Sequence, residues 1–245
     1  MTSKSGLAFA CAAVLATVAA NNAAAEEPAK PEADRFGGAG YLMPGVRQLQ
    51  LDPLNDALAE AGYSSIGQAA LSLGGGGHVM VGRLRIGGEG HFVTSLGGDG
   101  SRGDTRVNVS GGYGMFRLGY AVVATERFSI YPMLGVGGGG LTVSFTQQGS
   151  TTFDQVLADP GRDASVSRGG FLFDAALGAD YRIAVSHEDD GEGFMLVGLR
   201  GSYAVAPVMA GWTSAGGSVA GGPDVGLAGP SVHLLIGFGG MGPAK

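Results

Sequence analysis

Residues 167–185, SRGGFLFDAALGADYRIAV, alternate between two kinds of side chain. One set is apolar throughout and consists of Phe171, Phe173, Ala175, Leu177, Ala179, Tyr181, Ile183 and Val185. The other set carries the charges and consists of Arg168, Gly170, Leu172, Asp174, Ala176, Gly178, Asp180 and Arg182. A pleated strand repeats every second residue, whereas a helix repeats every 3.6 residues. The segment therefore predicts a long β-strand with one apolar and one polar face.

The same alternation recurs in four other segments after residue 35. Their apolar faces hold Leu71, Leu73, Val79 and Val81; Leu84, Ile86, Phe92 and Leu96; Met195, Val197, Leu199, Tyr203 and Val205; and Val232, Leu234, Ile236 and Phe238. Their opposite faces hold His78, Arg85, Glu89, His91, Arg200 and His233. Two further segments change parity, near Gly114 and within 137–140. Glycine bulges that bend the strand are predicted at those two places.

The connections between these segments alternate between short and long. Short connections are predicted at 82–83, 124–127 and 186–193, and long ones at 49–65, 97–105, 147–165 and 209–226. With a first strand at 36–48, this spacing predicts eight strands in an all-β, antiparallel, up-and-down barrel. Within the first long loop, DPLNDALAEA (52–61) predicts a short helix, with Asp52 as N-cap, proline at the first helical position and Gly62 closing it.

The N-terminus has the pattern of a secretory signal peptide. A short segment with Lys4 precedes an apolar run from Leu7 to Ala20, and small residues follow, so cleavage is predicted after Ala25. We expect a signal peptide at 1–25, a flexible periplasmic leader at 26–35 and a barrel domain at 36–240. Cys11 is the only cysteine of the chain and lies inside the signal, so disulfide and thiolate chemistry is excluded for the mature protein.

The amino-acid composition indicates which classes of partner the protein can bind. The chain has 15 Lys and Arg against 21 Asp and Glu, a net charge of -6, and no basic run, which argues against nucleic acid as a partner. Nothing after residue 25 is a long uninterrupted apolar helix, so membrane residence requires strands. The 48 glycines alternate with Val, Leu, Ile, Tyr and Phe, which favours ordered strands over a disordered chain.

Three features favour a membrane barrel over a soluble one. The apolar faces are nearly free of charge, and the strands exceed the usual soluble length of about five or six residues. The aromatic residues also fall into two bands, as a bilayer with two interfaces selects. These aromatic girdles are predicted from Tyr120, Phe128, Tyr181 and Phe238 at the short-turn end, and from Phe92, Phe145, Phe171 and Tyr203 at the long-loop end.

In this layout the chain resembles the eight-stranded outer-membrane β-barrels, the group that includes the OmpA transmembrane domain and the OmpX-like proteins. The resemblance covers about 36–239 and is architectural. It implies residence in the bacterial outer membrane, with outer-membrane lipid and the outer-membrane assembly machinery as partners. Such barrels often end in an aromatic residue that the assembly machinery recognises, whereas here Phe238 is followed by GGMGPAK.

The inward polar residues are predicted to form a lumenal network. Its members are His78, Arg85, Glu89, His91, Arg168, Asp174, Asp180, Arg182, Arg200 and His233. An eight-stranded barrel is only just wide enough for side chains to fill, so we expect paired charges that plug the lumen. The alternative is a narrow polar pore or gate, since inward glycine leaves room.

Catalytic and metal chemistry has weaker support. Glu89-x-His91 with His78 is compatible with a metal or an acid/base pair, but the spacing is common and a salt bridge of Glu89 with Arg85 or a neighbour is favoured. The glycine runs are not followed by Lys-Ser or Lys-Thr, so a P-loop is excluded, and no Gly-x-Ser-x-Gly elbow is present. We predict no catalytic residue, no metal and no cofactor.

The sequence thus predicts an integral outer-membrane barrel with a structural or surface-interaction role. The alternatives are a small passive channel, a barrel enzyme acting on lipid, and a soluble secreted barrel that binds an apolar ligand. Recognition of an extracellular ligand would belong to the long loops. Trp212, the only tryptophan, lies in the fourth long loop as either an interfacial anchor or a binding residue.

Overall fold

The computed structural model describes residues 35–96, 98–149, 152–158, 163–188, 191–215 and 217–243. The predicted signal peptide at 1–25 and residues 26–34 of the predicted leader lie outside the described residues, so both stay predictions. The first strand begins at Arg35 and the last ends at Pro243, close to the predicted limits of 36 and 240.

Eight long antiparallel strands close into a ring, which confirms the predicted fold class. They are β1 (Arg35–Gln48), β2 (Ala69–Val81), β3 (Leu84–Ser95), β4 (Thr105–Tyr120), β5 (Phe128–Gln147), β6 (Asp163–Glu188), β7 (Gly191–Met209) and β8 (Gly229–Pro243). Each strand pairs with the next along the chain. β8 then pairs with β1, for example at Ala39 and Gly239, and this pairing completes the barrel. Short strands at 100–102, 123–124, 212–214 and 217–219 extend the sheet at the connections.

The short connections differ slightly from their predicted limits. The first lies at 82–83 as expected, and Gly82 adopts a φ of +56°, which glycine tolerates best. The second is longer, because β4 ends at Tyr120 and residues 123–124 pair back onto β5. The third is shorter than 186–193, because β6 and β7 stay paired out to Glu188 and Gly191.

The predicted helix in the first long loop is present as α1 (Asp52–Glu60), with Pro53 in its first turn. Its N-cap is Leu51 rather than Asp52, and no side chain caps it. The Asp52 carboxylate instead accepts a hydrogen bond of 2.5 Å from the Gln68 side-chain amide, which holds the two ends of the loop together. Gly62 follows the helix with a φ of +82°. No helix among the described residues is long and apolar enough to cross a membrane.

A second helix, α2 (Phe153–Ala158), lies in the third long loop and was not predicted. Thr152 and Gln155 exchange hydrogen bonds there: the backbone N–H of Gln155 donates to the Thr152 hydroxyl, and the backbone N–H of Thr152 donates to the Gln155 side-chain oxygen. This reciprocal pair is a capping box, so Thr-x-x-Gln was the available signal.

The predicted bulges near Gly114 and within 137–140 are wrong. Pairing of β4 with β5, and of β5 with β6, runs without a break through both places. The register shifts lie between β6 and β7, at 171–173 and 184–186. Side chains of β4 and β5 therefore alternate between inside and outside without a break. What changes along these strands is the side on which the apolar residues lie. Near the long-loop end, Val107 and Val143 point inward and are buried, while Arg106 is exposed.

An apolar cluster fills the long-loop end of the barrel. We call it the long-loop cluster, and its buried members are Leu49, Leu51, Leu54, Leu58, Ile66, Ala70, Val93, Val107, Val109, Tyr113, Met115, Leu141, Val143, Leu172, Trp212, Val225 and Leu227. Helix α1 contributes Leu54 and Leu58 to it, so the first loop folds back over the opening. Two smaller apolar clusters, one around Tyr41 and Leu196 and one around Tyr131 and Met133, lie on the barrel interior as well.

Candidate functional site

Most of the predicted lumenal residues lie inside the barrel. His78, Arg85, Glu89, His91, Asp174, Asp180, Arg182, Arg200 and His233 are all buried. Their strands carry them inward at every second position, between outward apolar side chains. Not all of them touch one another, and the network has a distinct centre.

Glu89 on β3 is that centre. Its Oε1 lies 2.7 Å from Nε of Arg117 on β4, and its Oε2 accepts a hydrogen bond of 2.6 Å from Nη1 of Arg200 on β7. His91 Nε2 lies 3.2 Å from Oε1 on the same strand. Glu89 therefore pairs with Arg117 and Arg200, and its predicted neighbour Arg85 pairs elsewhere. The contact with Arg200 crosses the lumen, because β3 and β7 are not adjacent.

Two further ion pairs complete a balanced set. Arg117 also binds Asp174, and Arg85 binds Asp180. The Tyr131 hydroxyl donates to Asp180 at 2.6 Å, and the Arg85 guanidinium lies 3.8 Å from the centre of the Tyr131 ring. We call the six charged residues Arg85, Glu89, Arg117, Asp174, Asp180 and Arg200 the polar layer. Its three arginines and three carboxylates neutralise one another, as buried charges require.

Sequence reasoning missed Arg117 and Arg47. The expected bulge near Gly114 hid Arg117, although outward Phe116 and Leu118 on either side place it inward by simple alternation. Arg47, near the end of β1, donates to the Leu227 carbonyl at 2.6 Å and to the Tyr113 hydroxyl at 3.1 Å. It ties the fourth long loop to the barrel interior, and its alternation with outward Val46 was the signal.

A hydroxyl, two imidazoles and a carboxylate form a chain beside the polar layer. The Ser72 hydroxyl lies 3.3 Å from His91 Nδ1 and 2.9 Å from His233 Nε2, and His91 continues to Glu89. His91 also stacks on Tyr113, with ring centres 4.6 Å apart. A serine–histidine–carboxylate order is shared with hydrolases. Here Ser72 is fully buried and Glu89 is bound by two arginines. These four side chains therefore form an internal hydrogen-bond network.

His78 is not part of this network. It lies against Tyr41, with ring centres 5.5 Å apart, and neither ring nitrogen has a hydrogen-bond partner among the described residues. In the part of the chain that the structure describes, no group of three His, Cys, Asp or Glu residues is arranged to hold a metal ion.

Arg168 and Arg182 make their hydrogen bonds to the connections at the two ends of the barrel. Arg168 donates to the Ala210 carbonyl at 2.8 Å and to the Asp224 carboxylate at 2.6 Å, so it fastens the fourth long loop and does not line the lumen as predicted. The loop folds back over the end of β6 and supplies these acceptors. Arg182 donates to the Thr125 carbonyl at 2.7 Å and secures the second short connection.

The outer surface carries the aromatic residues in most of their predicted places. Tyr120, Tyr181 and Phe238 are exposed toward the short-turn end, and Phe92, Phe171 and Tyr203 toward the long-loop end. Phe128 is half-buried. Phe145 points inward and packs edge-on against Tyr63, with ring centres 5.9 Å apart, because the unbroken alternation of β5 places it there. Trp212 is buried in the long-loop cluster, and its Nε1 donates to the Pro223 carbonyl at 2.9 Å.

Exposure of the outward apolar side chains identifies the environment. Leu42, Leu134 and Leu177 are 66%, 69% and 59% exposed, whereas Glu89 and Arg200 are buried. A soluble protein reverses this arrangement, since it hides leucine and shows charge to water. Lipid on the outside and charge on the inside are the solution used by membrane barrels. The protein is an eight-stranded membrane β-barrel. In outer-membrane barrels, the short turns lie on the periplasmic side and the long loops on the extracellular side.

No protein-family model matches the chain, and no curated protein matches it. Among solved structures, the barrel is similar to Ail, the attachment invasion locus protein of Yersinia pestis, with 10% identity and a TM-score of 0.41 over 85% of this chain and 98% of Ail. It is also similar to Neisserial surface protein A, with 10% identity and a TM-score of 0.35 over 85% of this chain and 96% of that one. For the outer membrane protein OprG from Pseudomonas aeruginosa, identity is 16% and the TM-score 0.34, over 86% of this chain and 97% of OprG. At these values the likenesses carry no argument about function.

Proposed function

We propose that the barrel is a non-conducting outer-membrane protein with a structural or surface-interaction role. The observation that carries the proposal is the polar layer, in which ion pairs join side chains from β3, β4, β6 and β7 across the interior. Tyr131 of β5 adds a hydrogen bond to Asp180. Breaking such a pair leaves an uncompensated buried charge, so an open lumen would be costly.

The inward glycines support a filled lumen rather than a pore. At Gly178, a Cβ would lie 2.4 Å from Cε2 of Tyr131, and at Gly76 it would lie 2.7 Å from Cβ of Glu89. The space that a side chain would take at these two glycines is already occupied by Tyr131 and Glu89. The long-loop cluster then lies over the polar layer at the extracellular end.

The extracellular side offers surface for interaction. Helix α2 exposes Phe153 and Leu157 to 77% and 67%, four residues apart on one side of the helix. Neighbouring exposed apolar side chains that form a contiguous patch mark an interaction site more often than singly scattered ones do. We propose an extracellular partner at the long loops, and the outer-membrane assembly machinery as the partner during insertion. A catalytic role is not part of the proposal, because the Ser72 hydroxyl is buried.

Conductance in planar lipid bilayers tests the proposal. Purified protein is reconstituted into proteoliposomes, and its folded state is checked by its migration on a gel without boiling. Fusion of these vesicles with a planar bilayer should produce no ion-conducting steps, because the polar layer closes the lumen. A porin reconstituted in the same way supplies the positive control. Reproducible steps from the folded barrel would contradict the proposal and favour the passive channel.

A further inference from the structure

An apolar cavity lies at the extracellular end, outside the polar layer. Its volume is about 200 Å³. One wall comes from α1, one from the ends of β5 and β6, and one from the fourth long loop. The residues on which the argument depends are Ala57, Leu58, Phe145, Trp212 and Val219. Elements far apart in sequence therefore converge on this space.

Among the described residues, the side chains that line the cavity are apolar apart from the Trp212 indole N–H and the Tyr63 hydroxyl. Trp212 Nε1 already donates to the Pro223 carbonyl, so the indole contributes only its apolar ring. Tyr63 turns its ring toward the edge of Phe145, and the Arg102 guanidinium lies 5.7 Å from the centre of the Tyr63 ring. No charged side chain of the described residues lines the cavity. A polar or ionic ligand would lose its hydration there without compensation.

Part of the rim is open to solvent. Ala57 of α1 and Val219 of the fourth loop line the cavity and are exposed, while Leu58 and Trp212 are buried at its back. The short alanine side chain leaves the entrance clear. A molecule can therefore reach the cavity from outside the barrel without crossing the lumen.

We propose that this cavity binds an uncharged apolar molecule of about the size of one aromatic ring. An apolar cavity of about 150 Å³ stays dry and binds benzene in an engineered protein, so the volume here is sufficient for one ring with a small substituent. The lining accounts for the chemical class and the volume for the size. The proposal goes beyond the structural role above, and it holds whether or not the lumen conducts.

Trp212 makes the proposal directly measurable, because it is the only tryptophan of the chain and lines the cavity. Bromobenzene, a ring-sized heavy-atom quencher, is titrated into the full-length barrel in lipid nanodiscs while tryptophan fluorescence is recorded. Binding in the cavity should produce saturable quenching, superimposed on a linear background from bromobenzene dissolved in the lipid. Bromide ion, which is charged, should produce no saturable component.

Two alanine variants on α1 provide the matched comparison. Ala57→Leu should fill the entrance, because the larger side chain occupies the same volume as the ligand. The bromobenzene concentration that gives half-maximal saturable quenching should rise by about tenfold or more. Ala59→Leu should leave quenching unchanged, because Ala59 is exposed and does not line the cavity. Leucine is a good helix former, so both variants should keep α1. Each variant is first shown to be folded by its migration on an unboiled gel.

Two results would overturn the proposal. One is quenching that is only linear, or that is equally saturable in Ala57→Leu. The other is quenching by nanodiscs of brominated lipid that is lost in Ala57→Leu, since a membrane acyl chain would then be the occupant. Neither result depends on conductance, so this proposal and the proposed function fail independently.

Discussion

Asp180 and Asp224 each pair with an arginine, but their surroundings differ. The side chain of Asp180 is 0% exposed and that of its partner Arg85 is 5% exposed, whereas the side chain of Asp224 is 87% exposed beside Arg168. Removal of one member of a buried pair strands a charge without water, while an exposed pair is screened. The same chemical contact therefore has very different consequences at the two positions.

Asp180→Ala should leave membrane insertion intact and lower the free energy of unfolding by about 3–5 kcal/mol, because Arg85 and Tyr131 lose their shared acceptor. Asp224→Ala, the matched exposed pair, should cost less than about 1 kcal/mol. Guanidinium titration of both variants in lipid vesicles measures the difference. Equal costs would show that Asp180 is not a buried partner.

Gly178→Ala should destabilise the barrel by about 1–3 kcal/mol, since overpacking pushes Tyr131 away from Asp180. The added Cβ would lie 2.4 Å from Tyr131 Cε2. Gly40→Ala is the control, because the nearest atom, the Gly76 carbonyl oxygen, is 3.9 Å from its added Cβ and Gly40 is exposed. The same titration distinguishes them, and a tolerated Gly178→Ala would mean that the lumen has free space beside Tyr131.

At the scale of the element, the outer surface of β5 and β6 changes from apolar to polar along the strands. Leu177, in the middle of β6, is exposed among the outward apolar side chains, which include Leu42 and Leu134 and which we call the apolar belt. Thr146, near the end of β5, is exposed among polar residues. Beyond the belt, the interior is apolar and the exterior polar, as in a water-soluble barrel. The strands are thus longer than the bilayer requires, and their ends project from it.

Leu177→Arg should cost about 2–4 kcal/mol or block assembly, because a charge on the lipid-facing surface is most costly near the bilayer midplane. Thr146→Arg should insert normally at a cost of at most about 1 kcal/mol. Recovery of each variant in the outer-membrane fraction, and its folded fraction in vesicles, give the readout. If both arginines were tolerated alike, the belt would not extend over Leu177.

At the scale of the whole molecule, the pairing of β8 with β1 leaves the eight-stranded ring without a free edge. Every strand then satisfies its backbone hydrogen bonds on both sides, which is the condition for spanning a bilayer with strands. Local loss of one strand would expose two edges to lipid. We therefore expect the eight strands to resist local unfolding and to unfold together.

Extraction in detergent followed by gel electrophoresis should therefore give two mobilities. The unboiled barrel should migrate faster, because the closed ring stays compact in detergent, and boiling should shift it to the position of the unfolded chain. A protein that remains soluble without detergent and shows no shift would contradict the membrane assignment. This gel is also the control for folding in the experiments above.

Alternation along single strands was readable from the sequence, because successive side chains of a strand point to opposite sides whatever the strand pairs with. The faces of β6, from Phe171 to Arg182, follow from that rule alone, and the alternating connection lengths add the antiparallel ring. Helix α1 was readable as well, from its spacing and from Pro53 and Gly62. The failures arose where polarity was taken as a guide to direction, as at Arg117 and Phe145.

The sequence by itself determined the strands, the faces of most of them and the antiparallel barrel, since each depends on local periodicity and on the order of turns. Only the tertiary structure decided that Glu89 binds Arg117 and Arg200 instead of Arg85, because distances across the lumen depend on the closure and register of the whole ring. It also decided that the apolar side moves from the outside of β5 to the inside. The point where a strand leaves the bilayer depends on how the loops cover its end, and in this barrel α1 and the fourth loop bury Phe145 and Trp212 there.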